Sequence, residues 1–351
     1  MGLNVKKFIG ETLASVKKNV DGPAICAFSG GVDSTVTAAL ATRAIGKNLH
    51  AIFVDTGLIR IGEKEYAEQL AEKLGINLKV ADESERFIGA LKGITDPEKK
   101  RKIIGKLFIA VFEEHARKIR AKYLFRKRLS DRRHQRNRCA SALGLHEAKP
   151  KREPRLYLFQ GTIGPDWIES GGGMRATIKS HHNVGGLPEK MGLKLMEPLR
   201  DLYKHEVRMV AKELGIPETI YNRQPFPGPG LAVRVVGEIT PERVETVKKA
   251  CKIVEDEMNS SAEKGKMERP WQYFAALLPV KTVGVRGDER SYQYTMVGRA
   301  VGSLDGMTAH FSKADWETLE RISSRITNEI TEIGRVFYDI TNKPPSTIEL
   351  E

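Results

Sequence analysis

Ser29-Gly-Gly-Val-Asp-Ser34 follows directly on the apolar run Ala24-Ile-Cys-Ala-Phe28. It opens a stretch of small residues, Val32 to about Ala44, that is compatible with a helix. Residues of these types at this spacing bind anions. Paired glycines let the backbone approach a ligand closely. A strand-to-helix turn presents free N–H groups and the positive end of the helix dipole, both suited to phosphate. The two serine hydroxyls can add hydrogen bonds to phosphate oxygens. Asp33 repels phosphate and is better suited to Mg²⁺. The loop lacks a Gly-Lys-Ser/Thr ending, which excludes a Walker P-loop.

The elements around this loop alternate. Leu49 to Val54 reads as a second strand ending at Asp55-Thr-Gly57, and Glu63 to Leu74 as an amphipathic helix stopped by Gly75. Leu78 to Val80 reads as a third strand. Arg101 to about Arg120 reads as a long helix with Ile103, Ile104, Leu107, Phe108, Val111 and Phe112 on one face. Alternation of this kind predicts a parallel sheet covered on both faces. Ligands of such sheets sit at the C-terminal strand ends, where the loops after Phe28 and Val54 fall.

Beyond Arg223–Gly230 the regular alternation ends. Leu231 to Val236 reads as a strand, Pro241 to Met258 as a helix and Phe274 to Val285 as a strand. Leu319, Ile322, Ile326 and Ile330 mark one face of a further helix, and a last strand lies near Val336. The fold class is therefore α/β followed by a smaller α+β domain. The expected division is 1–228 and 229–351.

Composition narrows the classes. The chain has 351 residues, 40% hydrophobic and 29% charged, in the ordinary range for a globular protein. No apolar run approaches the roughly 18 residues of a membrane span, and the N-terminus is not a secretory signal. A cytoplasmic protein is expected. Cys26, Cys139 and Cys251 lie far apart and form no CxxC pair, so neither a disulfide framework nor a zinc site is expected. Net charge is +13, but residues 125–157 alone hold eleven Lys/Arg against three acids. A global argument for nucleic acid is thus weak. Tyr123-Leu-Phe125 recurs as Tyr157-Leu-Phe159, so the basic stretch between them looks like an insertion into the end of a strand.

The hexapeptide at 29–34 resembles the pyrophosphate loop of the N-type ATP pyrophosphatases, also described as adenine nucleotide alpha hydrolase-like. These enzymes cleave ATP between its α and β phosphates and adenylate a substrate oxygen. Further stretches point within that group: Val54-Asp-Thr-Gly-Leu58, Arg86-Phe-Ile-Gly-Ala-Leu, Asp96-Pro-Glu-Lys-Lys-Arg-Lys-Ile-Ile-Gly105, Gln160-Gly-Thr-Ile-Gly-Pro-Asp-Trp-Ile-Glu-Ser170, Ile178-Lys-Ser-His-His-Asn183, Arg223-Gln-Pro-Phe-Pro-Gly-Pro-Gly230 and Lys343-Pro-Pro-Ser-Thr-Ile-Glu349. Together they resemble the GMP synthetase family over essentially the whole chain except the basic stretch.

The resemblance implies that ATP is a co-substrate and Mg²⁺ a cofactor. Xanthosine monophosphate (XMP) would be adenylated on its 2-oxo group and then aminated by ammonia to GMP. It assigns ATP and pyrophosphate to Ser29, Gly30, Gly31, Val32, Asp33, Ser34 and Val54, with Asp33 also the metal candidate. It assigns XMP to Arg86, Gln224, Arg335, Lys343, Thr347 and Glu349. Asp166 and Glu169 match acidic positions of a mobile lid. At i, i+3 spacing they would share one helical face, to hold Mg²⁺ or to position ammonia and take its proton. Lys179, His181 and His182 match the lid's basic end, and Gly171-Gly-Gly173 would supply hinges. The second domain is expected to pair two subunits.

Three departures stand out. Many members carry an N-terminal glutamine amidotransferase, for which the glycine loop beginning at Ser29 leaves no room. The chain therefore resembles the split, mostly archaeal arrangement, in which a separate glutaminase supplies the ammonia. The basic stretch at 125–157 precedes the lid. Glu-Leu-Glu stands at the end where the family usually has Glu-Trp-Glu. A tRNA-thiolating enzyme sharing the loop is the alternative. The cysteines show no catalytic spacing for it, and the C-terminal nucleotide motif would have no purpose there.

Overall fold

The computed structural model describes residues 3–138, 155–164, 193–221, 223–304 and 306–351. Contacts gather the chain into two compact units. The first comprises Met1–Val54, Glu65–Ala81 and Phe108–Asn222; the second Asp55–Lys64, Asp82–Leu107 and Arg223–Glu351.

The first unit is built on a five-stranded sheet: β1 (Ala24–Ala27), β2 (Leu49–Asp55), β3 (Leu78–Asp82), β4 (Leu156–Phe159) and β5 (Leu193–Met196), in the order β3-β2-β1-β4-β5. The pairs β1–β2, β1–β4 and β4–β5 are parallel. Helices α1 (Val5–Asn19), α2 (Val32–Ile45), α3 (Glu63–Lys73), α4 (Ser84–Ala90) and α5 (Pro97–Arg138) come before β4, and α6 (Lys204–Glu213) and α7 (Glu218–Tyr221) after β5. Covering both faces of a parallel sheet demands strands that are apolar throughout. Ala24, Ile25 and Cys26 of β1 and Ala51, Ile52 and Phe53 of β2 are buried accordingly. Helix α2 buries Val36 and Ala38 to Ala41. Its small side chains bring the helix axis close to the sheet and set the height of its N-terminus above the strand ends.

The long helix read over 101–120 extends in both directions. Asp96 accepts from the Lys99 N–H at 2.7 Å, and Pro97 occupies the first turn, where its missing N–H costs nothing. No glycine or proline follows between Lys106 and Arg138 to stop it. The two Tyr-Leu-Phe copies consequently occupy unlike places, the first in α5 and the second in β4.

The second unit centres on an antiparallel hairpin, β6 (Gln272–Arg286) and β7 (Glu289–Gly302). Gly287 and Asp288 form its two-residue turn, with Gly287 at φ +61°. Strand β8 (His310–Phe311) pairs antiparallel and β9 (Ile333–Asp339) parallel with β7. Helix α8 (Pro241–Glu263) is capped by the Thr240 hydroxyl and buries Val244, Val247, Cys251, Val254 and Met258, a 3-4 spacing that makes one stripe. Helix α9 (Trp316–Glu329) is capped by Asp315 and buries Ile322 and Ile326. The expected strand over Leu231–Val236 is instead a 3-10 turn at Gly230–Arg234 followed by a single bridge, Val235 to Leu277. Gly230 sits at φ +65°, and an added Cβ would come within 2.4 Å of the Leu58 carbonyl oxygen. The Leu231 N–H is already taken by that oxygen at 2.7 Å. A short apolar run cannot by itself reveal such a pin.

Candidate active site

Strand β1 delivers the chain to the glycine loop, and the Phe28 N–H donates to Ile52 O of β2 at 2.9 Å. Gly30 takes φ +74°, a conformation that strains other residues, and Gly31 is the N-cap of α2. Both serines brace the loop. Ser34 Oγ accepts from the Ser29 N–H at 3.2 Å and donates to Gly31 O at 3.0 Å, and the two hydroxyls meet at 2.9 Å. The N–H groups of Val32, Asp33 and Ser34 lie in the first turn of α2, where no intrahelical acceptor exists. Together with the helix dipole they make an anion seat. Val54 closes β2 with its side chain buried, and beyond it Asp55 Oδ1 accepts from the Gly57 N–H at 2.9 Å.

Two features of this seat are not evident from the loop's sequence. Lys204, at the start of α6, reaches Asp33 Oδ2 at 2.5 Å. Gly161, just past β4, lies against the loop so closely that a Cβ there would stand 3.1 Å from the Asp33 carbonyl and 3.3 Å from the Ser34 nitrogen. Asp33 Oδ1 is buried without a hydrogen-bond partner, as is Thr162 Oγ1. Buried carboxylate oxygens are seldom left so. The residues therefore fit a small cation at Asp33, shared with a phosphate on the helix N–H groups. Among the described residues no three His, Cys, Asp or Glu side chains gather to hold a metal unaided. Asp166, Glu169, Lys179, His181 and His182 lie outside the described residues.

In the second unit the expected nucleotide residues fall into groups. Lys343, Thr347 and Glu349 lie on the segment after β9. Lys343 exchanges two main-chain hydrogen bonds with Ala309 and sends its ammonium to Gly306 O at 2.7 Å. Thr347 Oγ donates to Glu349 O at 2.5 Å. Glu349 receives a two-pronged bond from Arg234, at 3.0 and 3.1 Å, and a bond from Gln272 at 2.7 Å. Gln224, in the loop that follows Arg223, meets β6 at Tyr273, the residue next to Gln272. It accepts from the Tyr273 N–H and donates to Glu255, each at 2.9 Å. Gln224 and Glu349 thus flank the start of β6. Arg335 stands elsewhere: at the beginning of β9 it bonds Thr282 and Val283 in the outer half of β6. Thr282 is ten residues along β6 from Gln272, roughly 33 Å of extended strand. Arg86 lies on α4 and pairs with Glu83 at 3.3 Å.

Buried cations hold this segment, and motif reading did not single them out. Burial alone would lower the Arg234 pKa, but the Glu349 carboxylate and the Cys251 sulfur more than offset that and raise it. Phe226 and Phe274 flank its guanidinium, with ring centres 5.2 and 4.3 Å away. Lys100 is fully buried, donates to Val235 O at 2.8 Å and pairs with Glu351, which also accepts from the Gly237 N–H. Burial lowers the Lys100 pKa, and Glu351 offsets this only in part. For Arg234 the signal available in the sequence was a lone cation within an apolar stretch, which must be paired if buried; Lys100 is hidden in the charged run Glu98-Lys-Lys-Arg-Lys102.

A parallel sheet whose first strand ends in this glycine loop places the chain in the ATP-pyrophosphatase class of α/β nucleotide enzymes. Two family models match it: the phosphoadenosine phosphosulfate reductase domain over residues 23–135, and the GMP synthase C terminal domain over 259–350. Full-length relatives are more specific. The chain is 54% identical over 348 residues to the B subunit of a glutamine-hydrolyzing GMP synthase from Pyrococcus furiosus, covering 99% of this chain and 97% of that one. Proteins of the same name from Thermococcus kodakarensis and Methanocaldococcus jannaschii are 55% and 50% identical, each covering 99% of both chains. The chain belongs to the GMP synthase B-subunit family. It is a synthetase-type ligase of GMP synthesis that uses ATP.

Proposed function

We propose that the chain aminates XMP to GMP through an adenylyl-XMP intermediate. The 2-oxo oxygen of XMP attacks the α-phosphorus of ATP, the Pα–O bond to the β-phosphate breaks, and pyrophosphate leaves. Ammonia then attacks C2, and AMP departs with that oxygen. The nitrogen sheds its one extra proton to a base as it becomes the 2-amino group, and Asp166 or Glu169 takes this role. The observation that carries the reading is the orphaned Asp33 Oδ1 beside the first-turn N–H groups of α2. That is a place for a phosphate and its counter-ion in a chain with full-length kinship to the B subunits of GMP synthases.

The N–H groups of Val32, Asp33 and Ser34 hold the departing pyrophosphate, whose charge grows as the bond breaks. Asp33 would hold Mg²⁺, which when bound neutralises charge on the phosphate oxygens. Lys204 pairs with the Asp33 carboxylate and orients it. Lys179 and His181 contact ATP from the lid. Val54 lines the adenine end at the close of β2. Arg86, Gln224, Lys343, Thr347 and Glu349 bind XMP, with the cations on its 5′-phosphate, and Arg335, bonded to the outer half of β6, serves that phosphate only from the second copy of a pair. The relatives are named as one subunit of a glutamine-hydrolyzing enzyme, which supports a separate glutaminase subunit as the ammonia source.

Exposed apolar side chains on the second unit, among them Val283, Val285, Tyr292, Trp316 and Phe337, support pairing of two copies. The test measures AMP and pyrophosphate released by the purified chain with XMP and ammonium, with glutamine, and with a tRNA transcript. Turnover with XMP and ammonium alone is expected. Silence with that pair, or turnover with the tRNA, would refute the reading. Light scattering on the same sample should give twice the chain mass.

A further inference from the structure

Arg299 lies in the last third of β7, in register with Phe274 of β6 and Asp339 of β9, and has no exposed surface. An arginine carries five N–H donors, and all five are used. Nε donates to Ile348 O at 2.8 Å. Nη1 donates to the Asp339 carboxylate and to Thr341 O at 3.0 Å. Nη2 donates to Ser346 Oγ at 3.1 Å and to Thr347 O at 2.9 Å. Four of the five acceptors belong to residues 341–348. Three of those are main-chain carbonyls of an irregular segment with no ladder to bond into, though Thr347 O also accepts from Ser346 Oγ at 3.2 Å. One side chain on a rigid strand thus does for this segment what a neighbouring strand does for a regular one. The segment it gathers carries Lys343 between two of its anchors, contains Thr347, and runs directly into Glu349.

We propose that Arg299 is a positioning residue for the purine mononucleotide. It fixes residues 341–348 in their binding arrangement before the substrate arrives, so that binding does not have to order them. The inference rests on the reading that Lys343, Thr347 and Glu349 meet XMP, and it deepens that reading. Arg299 itself need not touch the substrate. Lysine cannot replace it, because an ammonium is a point donor and cannot span acceptors spread over this arc.

The test uses the full chain with XMP, ATP and ammonium, comparing Arg299→Lys and Arg299→Met with the parent. With at least two charged hydrogen bonds lost, the KM for XMP should rise by about tenfold or more. The KM for ATP should stay unchanged, and kcat per folded molecule should stay within about twofold. Ser346→Ala keeps the arginine and removes one acceptor, so it should shift the same constant in the same direction by less; it also serves if Arg299→Met fails to fold. A fall in kcat with both KM values unchanged signals only lost folded protein and would overturn the inference. Lys343→Ala separates the two layers. If it raises the KM for XMP while the Arg299 variants do not, the positioning role is wrong and the site reading stands. If neither moves that constant, the site reading fails as well.

Discussion

Gly161→Ala tests whether the position of the glycine loop is set from behind. The added methyl would stand 3.1 Å from the carbonyl carbon and oxygen of Asp33 and 3.3 Å from the Ser34 nitrogen. Ordinary contact begins near 3.4 Å, so the loop or β4's exit must yield by a few tenths of an ångström. All the opposing atoms are backbone, so no side chain can swing away. Overpacking of this kind costs about 1–3 kcal/mol. The atoms displaced are the ones proposed to hold pyrophosphate. A misplacement of about 1 Å costs on the order of a hundredfold in rate, so a shift of a few tenths should lower kcat/KM for ATP by about tenfold. Pyrophosphate release with ATP varied at saturating XMP and ammonium measures it, with circular dichroism to confirm the fold. Gly22→Ala is the control. Its methyl would meet Arg155 O at 2.4 Å, a harder clash, but at the opposite ends of β1 and β4. It should lower the melting temperature and leave the ATP constants of the folded fraction alone. An unaltered Gly161→Ala enzyme, or an equal ATP defect in both variants, would refute the argument.

Other outcomes follow from the second unit and the first core. Arg234→Met should cost about 3–5 kcal/mol in urea unfolding, since it leaves the Glu349 carboxylate without its cation and with only the Gln272 bond, and the Arg234→Met/Glu349→Leu double variant should recover part of that loss; strict additivity would contradict a coupled pair. Glu257 would have its pKa raised by burial, but hydrogen bonds from Arg321 and Arg325, at 2.8 and 3.1 Å, outweigh this and hold it below the usual carboxylate range. The resulting stability is present above the unfolded carboxyl range and is lost as pH falls through the folded value. Glu257→Gln should thus be less stable by about 1 kcal/mol at neutral pH and equal to the parent in strong acid; a penalty independent of pH would count against the pair. Burial pushes the Cys26 thiol up to about 12, so iodoacetamide at mildly alkaline pH should leave it unlabelled in the native chain and label it in urea, read by peptide mass spectrometry. Native labelling at the unfolded rate would show that β1 is not buried as described.

What was legible in the sequence was local. The glycine loop follows its strand and opens its helix within a dozen residues, and each part carries its own signature in residue type. The turn at Gly230–Arg234 was not legible, because a distant partner decides it, whereas the start of α5 was marked locally by Asp96 and Pro97 and was overlooked. Nothing in Leu231-Ala-Val-Arg-Val-Val236 tells that the Leu231 N–H is already bonded to Leu58 O. The partner of Asp33 was hidden for the same reason: Lys204 stands 171 residues away and looks like one more surface lysine in a basic chain. Strand β7 went unread although Gly287-Asp288 is a two-residue turn pair and Tyr292, Tyr294 and Met296 alternate with polar residues after it.

The C-terminal segment shows where the division falls and why. Its substrate candidates Lys343, Thr347 and Glu349 could be picked out only because Lys343-Pro-Pro-Ser-Thr-Ile-Glu349 resembles the family's pattern; the stretch by itself reads as a disordered tail. The residue that holds the stretch could not, because most of what Arg299 grips is carbonyl oxygen, and every residue type has one. A positioning cation of this kind leaves one trace, a lone arginine inside Thr295-Met-Val-Gly-Arg-Ala-Val301, where the flanking residues belong in a core. Burying that charge unpaired would cost far more than a single strand could offset. The arginine therefore implies a cluster of acceptors brought from elsewhere in the chain. In this fold those acceptors come from the end of β9 and the segment after it. The same physical demand that makes the residue improbable in a strand ties the strand to the nucleotide segment.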